Sequence, residues 1–364
     1  MNDDIYMLWL SSMVQQINSR KLNDLLSYFG TAREIFNASD SDLSDALRTA
    51  PQAERIIKSQ RNLQYIEDTL KNMESKGIAY FSRNHERFPS LLKEIPDPPL
   101  GIFYIGTLPA DNTNKVAIIG SRRCSEYGLL TARLLAKPLA QAGVVVVSGM
   151  ARGVDSMAHR GALQGGGDTI AVVGSGVDIC YPADNKPLRL EIIQSGCVLS
   201  EYPPGTRPTP AFFPARNRII SGLCQGVVVT EAAKKSGTLI TVNQAMEQGR
   251  EVLAVPGNIS SKLSQGTNQL IREGAHPISD HTDILFALNI TPVTAKLPDN
   301  KKIPGQNLAP DEKRVYDGLS ESPISFDMLA DITATDHSKL HLICTKLELK
   351  GLAKKLPGAR YILN

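Results

Sequence analysis

Four stretches of this 364-residue chain carry residue types that hold phosphate. The first is Gly120-Ser121-Arg122-Arg123, which follows the β-branched run Val116–Ile119 and precedes a helix starting near Ser125. Glycine permits a tight turn and close backbone approach, a helix N-terminus offers free N–H donors, and arginine supplies a forked cation. The second, Ser148-Gly149-Met150-Ala151-Arg152-Gly153-Val154-Asp155, repeats this pattern with two glycines and an acid for the first helical turn. Gly174-Ser175-Gly176 ends a further run, so three predicted strands finish in glycine-rich turns. The third stretch, Phe212 to Gly222, carries Phe213, Arg216, Asn217 and Arg218. From Arg207 to Gly222 there are three arginines and no acid. Arginine forks with adjacent rings are what a single-strand groove requires. An alternative assignment puts Phe212 and Phe213 in the core and pairs the arginines with Glu201 or Glu231. In the fourth stretch Lys234 and Lys235 precede Ser236-Gly237-Thr238, an anion-binding cap on an apolar helix.

Catalytic patterns are missing. There is no G-x-x-x-x-G-K-[ST] loop and no G-x-G-x-x-G at the first strand turn. The six histidines include no H-E-x-x-H, and the five cysteines include no C-x-x-C pair. The cysteines read as reduced, mostly buried thiols. No nucleophile, metal site or cofactor is expected.

These stretches need a scaffold. Between about 115 and 290 short β-branched runs (116–119, 144–147, 169–173, 198–199, 227–229 and 252–255) alternate with helical stretches. Continuous apolar runs suit a parallel sheet buried on both faces, and the alternation predicts a doubly wound α/β fold. In such sheets ligands bind beyond the carboxyl ends of the strands, where strand order reverses. Residues 1–85 have helical periodicity, with Leu22, Leu25, Leu26 and Phe29 as one example. Phe88 to Pro109 reads as an extended entry, 291–305 as a Pro-rich linker, and 306–364 as three helices with a terminal strand pair, the outline of a winged helix.

The basic total of 40 against 37 acids excludes binding by bulk charge alone. Its distribution is uneven: 306–364 is neutral, whereas 339–364 carries six bases and one acid. That asymmetry nominates Lys346, Lys350, Lys354 and Lys355 as DNA contacts of the winged helix, with protein docking the equal alternative. No apolar run is long enough to span a bilayer. The acidic start MNDDIYMLWL is unlike a secretory signal, so a cytoplasmic location without membrane contact is expected.

Taken in order, Gly120-Ser121-Arg122, Ser148 to Asp155, Gly174-Ser175-Gly176 through Tyr181-Pro182, Ser200 to Gly205, Phe213 to Gly222, Glu231-Ala232 with Ser236 to Thr241, and Ala254 to Asn258 resemble the bacterial DNA-processing protein DprA (Smf) family. The resemblance implies a Rossmann-like, mostly parallel domain at 86–290, flanked by a small helical (SAM-like) domain and a winged helix. It implies a non-catalytic homodimer that protects single-stranded DNA, displaces single-strand-binding protein and loads RecA recombinase during natural transformation and recombination. It places the phosphate turn on Gly120, Ser121 and Arg122, the basic-aromatic groove on Phe213, Arg216, Asn217 and Arg218, and the cap on Ser236, Gly237 and Thr238; Lys235, in a stretch more basic than the family leads one to expect, is a DNA-binding candidate by its own charge. Ser148 and Gly149 are to line the same edge. A competing reading is a nucleoside monophosphate phosphoribohydrolase-like enzyme using Glu231, although the doubled glycine of such loops is missing.

Overall fold

The computed structural model describes residues 3–292, 308–320 and 323–363. The chain divides into two compact units, 1–295 and 296–364.

In the first unit the β-branched runs become the interior of a nine-stranded sheet. Its strands are β1 (Ala79–Ser82), β2 (Gly101–Gly106), β3 (Lys115–Ile119), β4 (Val145–Ser148), β5 (Thr169–Val172), β6 (Gly196–Ser200), β7 (Gly226–Val229), β8 (Glu251–Ala254) and β9 (His276–Pro277). The order is β1-β2-β6-β5-β4-β3-β7-β8-β9. From β6 to β9 every pairing is parallel, and β2 adds antiparallel to β6 with β1 outside it. All residues of β3, β4, β5, β6 and β7 are buried, as a sheet covered on both faces demands. Strands β3 to β6 step one way across the sheet, and β7 then adds on the other side of β3. The order therefore reverses at β3, and a crevice opens beyond the carboxyl ends of β3 and β7.

The sheet begins at Ala79, inside the range read as helical. Four residues, half of them buried, are too few to show a period of two. Six helices precede it: Asp3–Ser11, Ser19–Phe29, Ala32–Asn37, Asp40–Ala46, Pro51–Gln60 and Leu63–Ser75. Asn18, Thr31, Ser39 and Asn62 cap four of them through side-chain oxygens. Trp9 is fully buried, edge-on to Phe36 at 5.0 Å, and donates its indole N–H to Gln60 O at 2.7 Å. The helical core is continuous with one face of the sheet through Phe103, Ala171, Val173 and Val198.

The second unit has helices Pro310–Gly318, Phe326–Thr333 and His337–Leu349, and a sheet of β10 (Ile324–Ser325), β12 (Arg360–Leu363) and β11 (Ala353–Leu356) in that order. Leu329, Leu340, Ile343, Leu347 and Tyr361 form its own core. This is a winged helix. From residue 293 onward the expected linker lies outside the described residues. Among the described residues no helix is long and apolar enough to cross a membrane, and no group of His, Cys, Asp or Glu has metal-binding geometry.

Candidate nucleic-acid interface

At the switch point lies an open cleft of about 680 Å3. Its first wall is the turn after β3. A Cβ on Gly120 would lie 2.7 Å from Val154 Cγ2 and 2.8 Å from Thr230 Oγ1, so only glycine lets the chain leave the strand there. Ser121 N–H donates to Glu231 O at 2.9 Å, and Arg123 N–H donates to Ser121 Oγ at 3.1 Å. Ser125 then caps the helix Glu126–Gln141, its Oγ accepting from Gly128 N–H at 3.2 Å. Arg122 and Arg123, between these anchors, are exposed and have no ion-pair partner among the described residues. The Arg122 guanidinium stands 5.2 Å from the ring centroid of Phe213.

The helix Phe212–Gly222 forms the floor. Arg216 is 4% exposed. It donates through Nη1 to Gly149 O at 2.8 Å and to Val172 O, and through Nε to Asn217 Oδ1 at 3.1 Å. A Cβ on Gly149 would lie 2.7 Å from both Arg216 Nη1 and Asp155 Oδ2. This glycine is therefore required by the passage of the guanidinium and not by a turn. Burial pushes Arg216 down to about 10, which leaves it charged at neutral pH. Burial raises Asp155, with Arg216 acting against that rise.

The opposite wall is Lys235 to Thr238. Lys235 is exposed, again without an ion pair among the described residues. Ser236 Oγ accepts from Thr238 N–H at 3.2 Å, and a Cβ on Gly237 would meet nothing within 4 Å. The helix Thr238–Glu247 thus presents its N-terminus to the cleft.

The structure brings together Gly120, Ser121, Arg122, Phe213, Arg216, Asn217, Lys235, Ser236, Gly237 and Thr238 on this cleft. Two expected residues lie elsewhere. Ser148 is fully buried and donates to Ile118 O at 2.7 Å; as the last residue of β4 it ties β4 to β3. Arg218 points off the other side of its helix. There it pairs with Glu201 at 2.6 Å and Asp97 at 3.2 Å, and the side chain is 9% exposed. Pairing with Glu201 was the alternative assignment, and it holds for this arginine. The aromatic pair divides in the same way. Phe212, half-buried, stacks on Tyr202 at 4.2 Å against the core, whereas Phe213 faces the cleft. Gly149 borders a smaller hollow beside the main one, with Tyr181. Tyr181 and Arg123 also line the site, although in the sequence Arg123 stands out only as part of the first glycine turn and Tyr181 only as part of the family stretch, with no contact assigned to either. In the winged helix Lys346, Lys354 and Lys355 are exposed, but Lys350 pairs with Glu312 at 2.6 Å.

The family model for DNA recombination-mediator protein A matches residues 79–289, and the DprA winged helix domain matches 300–359. The chain belongs to the DprA (Smf) family. DNA processing protein DprA of Streptococcus pneumoniae is 40% identical over 285 residues, 78% of this chain and 97% of that one. Protein Smf of Synechocystis is 32% identical over 97% of each chain. The S. pneumoniae DprA crystal structure superposes with a TM-score of 0.67, at 38% identity over 79% of this chain and 97% of that one. Helicobacter pylori DNA processing protein A superposes with a TM-score of 0.53, at 32% identity over 59% of this chain and 97% of that one. That second structure is described as giving insight into a single-stranded DNA binding mode. The doubly wound sheet and winged helix expected of a DprA member are both present.

Proposed function

We propose that this member of the DprA family binds single-stranded DNA in the cleft at the switch point, protects it, and loads RecA recombinase onto it. Displacement of single-strand-binding protein, a homodimer formed through the α/β domain, and service in natural transformation and recombination from the cytoplasm complete the proposal. So does the division into a helical domain (1–85, whose end already supplies β1 to the sheet), the α/β domain (86–290), a linker (291–305) and a winged helix (306–364).

The observation that carries the binding role is the set Arg122, Arg123 and Lys235. These are three exposed cations without ion-pair partners among the described residues, facing one cleft with an aromatic wall. Counterions released from a strand would reward such cations whatever the sequence. The Gly237 backbone N–H adds a directional contact. The H. pylori relative supports the same ligand class.

Glu231 argues for binding over hydrolysis. Its two carboxylate oxygens accept from Ser125 N–H at 2.9 Å and Ser125 Oγ–H at 2.6 Å, and the residue is 2% exposed. A carboxylate holding a helix cap with both oxygens serves as a strut, whereas a general base must reach a substrate proton. In a gel-shift series, Arg122→Ala is expected to weaken binding of oligothymidylate without altering the far-UV circular dichroism. Unchanged affinity in Arg122→Ala and Lys235→Ala together would overturn the assignment. Release of free base from nucleoside monophosphates by the pure protein would promote the hydrolase reading.

A further inference from the structure

A second cleft, of about 730 Å3, lies on the Arg218 side of the helix Phe212–Gly222, where the N-terminal helices meet the α/β elements. Gln244 and Gln248 line it from the neighbouring helix. Gln248 N–H donates to Gln244 O at 3.0 Å, so the two side chains stand one helical turn apart, about 6 Å along the axis, on one face. Each Nε2 staples this helix to its neighbour: Gln244 donates to Pro214 O at 3.1 Å and Gln248 to Arg218 O at 2.9 Å. A backbone carbonyl only accepts, so these bonds fix which end of each amide is nitrogen. Both Oε1 atoms are thereby left buried without a hydrogen-bond partner, and so is Nη1 of Arg218, a residue 7% exposed. Buried polar atoms in this state carry a desolvation penalty that a bound partner relieves. The lining acids Asp97, Glu201 and Glu247 outnumber the lining bases Arg20 and Arg218. Glu247 is exposed and has no ion-pair partner among the described residues.

These groups call for a ligand with two N–H donors about 6 Å apart on one edge and an acceptor for Arg218. An extended polypeptide has that edge. At about 3.3 Å per residue its same-side N–H groups recur every second residue, about 6.6 Å apart, with carbonyls on the same edge. A nucleic-acid backbone does not: phosphates only accept, and the surplus of acid repels them. We propose that this groove docks an extended, non-acidic peptide segment of a partner protein. Alternate backbone N–H groups of the segment bond Gln244 and Gln248, a carbonyl bonds Arg218, and a basic side chain meets Glu247. This is main-chain recognition of the kind a sheet edge provides, with side-chain amides in the place of a strand. The groove shares Pro214 with the strand cleft but none of its exposed cations, so a partner and a strand can be held at once.

The test selects a phage-displayed library of short random peptides on the full chain, with counter-selection on the double variant Gln244→Leu with Gln248→Leu. Enriched peptides are then synthesised with a fluorescent label, and their affinity is measured by anisotropy. The account expects peptides poor in Asp and Glu that bind the double variant about tenfold more weakly. Methylating single backbone nitrogens of such a peptide should weaken binding at alternate positions and have little effect between them. Glu247→Lys, a change at an exposed position, should weaken binding about two- to fivefold. The double variant should still bind oligothymidylate like the wild type. No enrichment over the double variant, enrichment of acidic peptides, or equal losses at every methylated nitrogen would overturn the proposal. A folded double variant that loses oligothymidylate gives the groove to the strand, and the proposal falls. If the double variant fails to fold, selection runs on the wild type alone, and the methylation series with Glu247→Lys decides, because neither disturbs the packing of the two helices.

Discussion

Arg216 and Arg218 sit two residues apart on one helix and therefore point about 200° apart. Arg216 runs under the cleft and donates to two backbone carbonyls, with one carboxyl beside it. Arg218 runs the other way into two carboxylates, Glu201 and Asp97, at the junction with the N-terminal helices. Both are buried, and neither is the freely available cation that a run of arginines suggests. The available cations are on turns: Arg122, Arg123 and Lys235. The winged helix repeats the lesson. Lys339 and Lys350 pair with Asp311 and Glu312, while Lys346, Lys354 and Lys355 stay exposed. Charge counted along a sequence says nothing of which charges are already answered by the fold.

The sharpest way to break the comparison is Arg218→Met. Removing the cation strands a buried Glu201, which should cost about 3–5 kcal/mol in urea unfolding while leaving the affinity of the folded fraction for oligothymidylate intact. Lost affinity at unchanged stability would put Arg218 back in the cleft. Next is Glu231→Gln, which removes the charge that accepts both Ser125 bonds. A loss of about 1.5–3 kcal/mol in the same assay is expected. Lys235→Ala should leave unfolding unchanged and weaken single-strand binding roughly two- to fivefold, as an exposed point charge does. The smallest effect belongs to Lys354→Ala with Lys355→Ala. Single-strand affinity measured by fluorescence anisotropy should stay within about twofold if the cleft dominates. A larger fall would extend the interface onto the wing.

Much of the scaffold is legible because burial on both faces of a parallel sheet forces continuous β-branched runs. The three glycine turns follow from the same logic, and Gly120 shows it directly, since a Cβ there meets Val154 and Thr230. The winged-helix outline of three helices followed by a strand pair is legible from periodicity, and Ser325 and Asp336 cap two of those helices in the structure. The misplaced residues share a cause: side-chain direction set by distant partners. Ser148 is the last residue of its strand, and whether it faces the cleft or β3 depends on the neighbouring strand's Ile118 carbonyl. Arg218 turns on Asp97, 121 residues earlier in the chain. The strands β1 and β2 form an antiparallel edge too short or too irregular to announce itself. Tyr181 is legible only as the end of the Gly174–Pro182 stretch of the family resemblance; its place at the site becomes visible once its ring stands 5.5 Å from that of Phe213.

The central claim, that Arg122 in the cleft neutralises strand phosphate, is tested most directly by salt. Oligothymidylate affinity is measured for the wild type and Arg122→Ala across a range of salt concentrations. The account predicts that log affinity falls linearly with log salt in both, with the variant's slope shallower by about 0.7, one phosphate contact fewer. Parallel lines, whatever their separation, would contradict it.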